Sequence, residues 1–206
     1  MLRAQSESDW RDGFPFVGNH EALDFLNTRP VLSGEQPTEL LPDFAVLLGW
    51  FRAANILGSR EASGLRHQWG ESQRARRALD SLHQLREKFR KEILKYEAGG
   101  DVQRATIEEI NKLMASHPIR TRLMVTEDGF RTEAYCDPRE PEDLLGPVAY
   151  SIATLLADLD RAKIRKCSNC VLHFYDTSKK GTRRWCSMQI CGNRAKVATY
   201  AARHRR

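Results

Sequence analysis

The sequence has no long apolar run. Its longest stretch without charge is residues 144–157, fourteen residues interrupted by Gly146 and Pro147, short of the roughly 20 apolar residues that a membrane-spanning helix needs. The opening MLRAQSESDWRDGF lacks the apolar centre of a signal peptide, which predicts a cytoplasmic protein with no membrane partner. No repeat of fixed period occurs, and no low-complexity tract beyond the terminal RHRR, which excludes solenoids and arrays. A glycine-rich phosphate loop and a nucleophile elbow are also missing. His20 and Glu21 alone do not make a catalytic pair, so we expect no enzyme. At 41% apolar and 29% charged over 206 residues, the chain is neither disordered nor collagenous, and it can hold one domain plus a small module.

Acids are scarce in one region. Residues 163–206 hold twelve Lys and Arg against the single acid Asp176, a net +11, whereas residues 1–162 hold 21 basic residues against 26 acids, a net −5. The overall +6 therefore joins an acidic body to a strongly basic tail.

The body reads as mainly helical. Asn19–Thr28 spaces Leu23, Phe25 and Leu26 as a short helix, stopped by Arg29-Pro30. Pro42 opens a second helix carrying Phe44, Leu47, Leu48 and Phe51, ended by Gly58, and Ser59 caps a third. From Ser72 to Ala98, Ala75, Leu79, Leu82, Leu85, Phe89, Ile93 and Tyr96 recur at threes and fours, opposite a basic face that includes Arg74, Arg77, Arg86 and Arg90. Asp101 caps a further helix with Ile107, Ile110, Leu113 and Met114, ended by His117-Pro118. Residues 122–125 and 130–136 flank Glu127-Asp128-Gly129 as a hairpin. A last helix from Glu142 to Arg161 carries a wide apolar stripe, which suits the central core helix or a homodimer seam.

Four of the five cysteines lie in the basic tail, spaced Cys167-x2-Cys170-x15-Cys186-x4-Cys191. Two close pairs 15–20 residues apart are a zinc signature, and four thiolates fill a tetrahedron with no position open to water, so the one ion is structural. A redox dithiol would sit in a βαβ context, which is absent. His173 and His204 are unnecessary as ligands, and Cys136 stands alone as a buried thiol. Residues 171–175 and 182–186 read as a strand pair around the 178–181 turn, and a helix follows Cys191. The expected fold is thus a helical N-terminal domain, 1–162, with one hairpin, and a treble-clef-like zinc finger, 163–206. About 40 residues build little core alone, so zinc should supply much of the finger's folding energy.

So basic a finger fits a polyanion, DNA above all. Lys179, Lys180, Arg183 and Arg184 fall on the expected finger hairpin, and Lys196, Arg203, Arg205 and Arg206 on or beyond the helix. Asn193 and Arg194 either read base edges or serve the finger, Asn193 as a helix cap and Arg194 as a tie to Asp176. Asn19, His20, Asp24 and Asn27 are polar groups that either line a pocket for a small-molecule effector or act as caps and solvated surface. The competing class is a zinc-dependent module that binds protein or RNA.

The run RKCSNC at 165–170, with FYD at 174–176 and RRWCSMQICGNR at 183–194, resembles the CGNR zinc finger, named for the tetrapeptide at 191–194. The body, with GNHEALDFLNT at 18–28, resembles the helical ABATE domain that precedes that finger in bacterial proteins. The resemblance implies a stress-induced transcription regulator whose finger binds DNA and whose zinc ligands are Cys167, Cys170, Cys186 and Cys191.

Overall fold

A computed structural model describes residues 9–30, 36–70, 72–193, 196, 197 and 200. The chain folds into two compact units, one from residues 41–158 and one that joins the described residues up to Leu40 with those from Leu159 onward. The division differs from a cut at 162/163, because the chain's N-terminal part folds with the finger.

In the central unit, α1 (Phe44–Ala53) begins at Asp43, whose carboxylate accepts the Val46 N–H at 2.8 Å. It ends at Ala54–Asn55, where Asn55 takes the left-handed conformation (φ 60°). Gly58 is not the stop that the sequence suggested. It is the N-cap of α2 (Ser59–Trp69), where the Glu61 carboxylate accepts its N–H.

The long helix α3 (Gln73–Glu97) starts at Ser72, whose Oγ accepts the Ala75 N–H at 3.2 Å. It buries Ala75, Leu79, Leu82, Leu85, Phe89 and Ile93 along one side. The basic face departs from expectation at Arg86, which is buried with its guanidinium 3.3 Å from Glu87. The next helix, α4 (Arg104–Ser116), has its N-cap at Gln103, two residues later than the Asp101 cap predicted. Glu92 of α3 explains the shift: its carboxylate accepts the Gln103 N–H at 2.9 Å and so caps α4 from a neighbouring helix. Burial alone would raise the Glu92 carboxyl, but Gln103 and Lys95 hold it below its usual range.

Strands β1 (Arg120–Thr126) and β2 (Gly129–Tyr135) form the expected hairpin, in register Thr126↔Gly129 through Arg120↔Tyr135, with Gly129 at φ 123°. The last helix is not continuous. A 3₁₀ turn over Pro141–Leu144 precedes α5 (Leu145–Asp158). Leu145, Val148, Ala149, Ile152 and Leu155 are buried, which makes α5 the core helix. A Cβ on Gly146 would lie 2.0 Å from the His117 carbonyl oxygen, so only glycine lets α5 approach the end of α4 this closely. Among the described residues no helix is long and apolar enough to cross a membrane.

The other unit begins with a two-residue hairpin, β3 (Trp10–Arg11) and β4 (Phe14–Pro15), followed by the short helix α6 (Glu21–Leu26). Downstream lie β5 (Ile164–Lys166), β6 (His173–Tyr175), a wide π-type turn at Met188–Gly192, and helical residues Asn193, Lys196, Val197 and Tyr200. Strand β6 pairs antiparallel with β5, in register Ile164↔Tyr175 and Lys166↔His173. The expected pairing of 171–175 with 182–186 is therefore wrong. The latter segment forms no strand, being held instead by Asp176, which accepts the Arg183 N–H at 2.8 Å, and by the Arg184 carbonyl, which accepts the Ser168 N–H at 2.9 Å.

Candidate metal centre

The turn between β5 and β6 carries Cys167 and Cys170, tightened by the Cys167 N–H donating to the Leu172 carbonyl at 2.9 Å. Cys186 precedes the π-type turn and Cys191 lies within it, where Ser187 O accepts the N–H groups of Cys191 and Gly192 at 3.0 and 2.9 Å. The four sulfurs all lie within 4.8 Å of one another, with Cys170–Cys186 at 3.6 Å and Cys186–Cys191 at 3.7 Å. These separations are far beyond a disulfide bond of about 2.05 Å. They match the edge of about 3.8 Å in a tetrahedron with Zn–S bonds of about 2.3 Å. As bare thiols the groups cannot ionise together. Hydrogen bonds from Cys170 and Cys186 pull Cys167 down, while proximity to Cys167 pushes Cys170 up to about 12 and Cys186 up as well. A divalent cation resolves that conflict by replacing the protons. The cluster is the site of one structural zinc ion.

The ligands sit in apolar surroundings. Val17, Phe174, Cys167, Cys186 and Cys191 form one buried cluster, with Leu172 and Trp185 packed against it. Arg183 closes the shell: its Nε donates to Trp185 O at 2.7 Å, its Nη2 reaches Cys186 O, and its guanidinium lies 5.0 Å above the Phe174 ring. Such groups orient ligands and control water access.

The N-terminal polar residues make backbone hydrogen bonds: Asn19 and Asn27 hold the finger, and His20 and Asp24 hold their own segment. Asn27 is buried and bidentate to the backbone of His173, with Nδ2 donating to the carbonyl and Oδ1 accepting the N–H, both at 2.9 Å. The Tyr175 N–H donates to Gly18 O at 2.8 Å, and Asn19 Nδ2 donates to Tyr175 O at 2.9 Å. Residues 18, 19 and 27 thereby complete the outer edge of β6 as a third strand would. His20 caps α6, accepting from Ala22, and Asp24 accepts the Gly18 N–H at 2.8 Å. A Cβ on Gly18 would fall 2.8 Å from Asp24 N, so the turn needs glycine. The signal that sequence reading missed is that two asparagines bond a backbone more than 140 residues away.

The basic residues divide into two groups. Lys166, Lys179, Lys180, Arg184 and Lys196 are exposed, whereas Arg183 is tied to its own backbone. Arg165 also turns inward, donating to Gly181 O at 2.7 Å and lying 3.8 Å from Asp176. Asp176 itself is fully buried. Burial alone would raise its carboxyl, but hydrogen bonds from Ser178 and Arg183 and the Arg165 cation hold it below the usual range. Asn193 is exposed and donates to Gln189 O at 3.2 Å. Arg194, Arg203, His204, Arg205 and Arg206 lie outside the described residues. His173 is buried outside the sulfur cluster.

Thiol chemistry offers a direct check. All five cysteines are unbridged. Cys136 is buried, and burial, helped by Glu61, Asp143 and Asp137, pushes its thiol up to about 12. With zinc bound, a disulfide reagent at neutral pH should find no rapidly reacting thiol. A chelator should release one zinc per chain and expose the four ligand thiols, and only denaturant should expose Cys136. A fast thiol count before chelation would exclude the closed site.

One cavity of about 250 Å³ lies in the central unit, walled by Met114, His117, Ile119 and Tyr150. Asp143 accepts from His117 Nδ1 at 3.0 Å; burial would raise this carboxyl, but His117 and the N–H groups of Arg139 and Glu140 hold it down.

A comparison with curated proteins gives no match. Two family models do match the chain: ABATE, described as "Putative stress-induced transcription regulator", over residues 19–159, and the CGNR zinc finger over residues 163–204. Neither description names an enzyme. With the first model covering well over half of its length and the second placed on the four-cysteine site, the chain belongs to the ABATE family and carries a C-terminal CGNR zinc finger.

Proposed function

We propose that this protein is a DNA-binding transcription regulator whose zinc finger grips the phosphate backbone. One observation carries the reading. The only acid between residues 163 and 206, Asp176, is fully buried against the finger's own donors, while Lys166, Lys179, Lys180, Arg184 and Lys196 are exposed. The exposed charge of the finger is thus of one sign, as a surface that displaces counterions from DNA requires. Asn193, bonded to Gln189 O, is a cap on this reading and not a base reader. An effector site belongs at the cavity beside His117 and Tyr150, since Asn19, His20, Asp24 and Asn27 are already engaged.

The test is duplex DNA binding at several salt concentrations. Replacing Lys179, Lys180 and Arg184 together by Ala should flatten the plot of log K against log salt by about 0.9 per lost phosphate contact. Arg183→Ala should instead weaken zinc retention and leave the slope of the folded fraction unchanged. An unchanged slope in the triple variant would remove the DNA reading, and preferential binding of RNA or of a protein partner would replace it with the interaction-module class.

A further inference from the structure

The β1–β2 hairpin has features that its own chain leaves unanswered. It is a two-stranded sheet, an arrangement that is only marginally stable without further strands or a packed face. The pleat places Thr121, Leu123, Val125, Phe130, Thr132 and Ala134 on one face, and all six are exposed. Leu123, Val125 and Phe130 are 67%, 78% and 74% exposed. Both long edges end the sheet, and exposed apolar edges of this kind invite another strand.

The register decides which edge is complementary to itself. The two-residue turn makes Thr126↔Gly129 a hydrogen-bonded pair. By alternation along the register, Phe130, Thr132 and Ala134 then turn their N–H and C=O groups away from β1. A second β2 strand, antiparallel about a two-fold axis at Thr132, takes up those groups. On the opposite face it sets Arg131 beside the partner's Glu133, and Glu133 beside the partner's Arg131. These are non-hydrogen-bonded positions, where side chains lie closest. Within its own chain Glu133 Oε2 accepts from Arg122 at 2.8 Å, while Arg131 approaches the other oxygen, Oε1, only to 3.9 Å and remains 65% exposed. On the apolar face the same register sets Phe130 beside the partner's Ala134. The β1 edge offers no such match: RTRLMVT contains two arginines and no acid.

We infer that two copies of this chain associate through β2, forming one continuous four-stranded antiparallel sheet with reciprocal Arg131–Glu133 pairs. The interface lies wholly within the central unit and is independent of zinc and of DNA. A two-fold pair of chains also suits a regulator, because it delivers two fingers at once.

Sedimentation velocity of the zinc-loaded full chain over a concentration series tests the proposal. The wild type should be dimeric. Arg131→Glu and Glu133→Arg should each weaken the dimer roughly tenfold, by setting like charges opposite one another twice per interface. The double exchange should restore it. Thr132→Pro deletes an outward N–H of β2 and should give monomers, whereas Leu123→Pro makes the same change on the β1 edge and should leave the dimer intact. Circular dichroism checks folding, and the charge exchange serves if either proline disturbs the hairpin. A wild type that is monomeric throughout would overturn the proposal. So would a dimer that survives Thr132→Pro, or an exchange that fails to rescue.

Discussion

Cys186→Ser is expected to abolish zinc retention and to unfold the finger together with the N-terminal segment, while residues 41–158 keep their helices. Cys186 is the most central ligand, 1% exposed, with its sulfur within 3.7 Å of both Cys170 and Cys191. A serine oxygen there replaces a thiolate in a set of soft donors matched to zinc. Structural zinc sites contribute about 10–16 kcal/mol of apparent binding energy that is also folding energy, as much as the whole stability of an ordinary domain. The loss does not stop at residue 163. Val17 shares a buried cluster with three of the ligands, and Gly18, Asn19 and Asn27 bond the backbone of β6. Hydrogen exchange read by peptide should therefore show protection vanishing in 14–28 and 164–192 and persisting in 73–97 and 145–158. Intact protection across 14–28 would show that the segment holds its structure without the finger.

That pattern differs from the one sequence reasoning suggests, which confines the damage to the last 44 residues. The zinc ligands were legible because four cysteines at a fixed spacing encode one tetrahedron with no help from tertiary structure. The long helix 73–97 was equally legible, since its buried residues recur at the helical period and Ser72 supplies a standard cap. Elements fixed by contacts outside any local periodicity were not. Strands β5 and β6 have three residues each, too few to show a period of two, whereas 182–186 follows the 178–181 turn as a second strand would and forms none. The cap of α4 was misplaced because Glu92 supplies it from the preceding helix. Arg86 looked like surface because its charge placed it with the basic face, whereas the fold buries it. Asn19, His20, Asp24 and Asn27 resembled a ligand site for a physical reason: a polar cluster on a short apolar helix needs partners. Those partners are the finger's backbone and the segment's own caps.

Asn27 gives that conclusion its sharpest test. Its side chain is 1% exposed and satisfies both the N–H and the carbonyl of His173, each at 2.9 Å. Asn27→Ala strands two buried backbone groups where water has little access. Each such group costs about 1–3 kcal/mol, so the finger should lose about 2–6 kcal/mol of folding energy. Because zinc binding and finger folding are linked, even 2 kcal/mol lowers the apparent zinc affinity about thirtyfold, which a competition titration with a chromogenic chelator would read. Asn27→Asp separates hydrogen bonding from shape. The isosteric carboxylate still accepts the His173 N–H, but it sets a negative oxygen against the His173 carbonyl, and burying that charge without a donor is costly. It should therefore rescue nothing relative to Ala, whereas a residue acting through volume alone would tolerate Asp fully. Zinc affinity equal to wild type in both variants would mean that the N-terminal helix rests on the finger without supporting it.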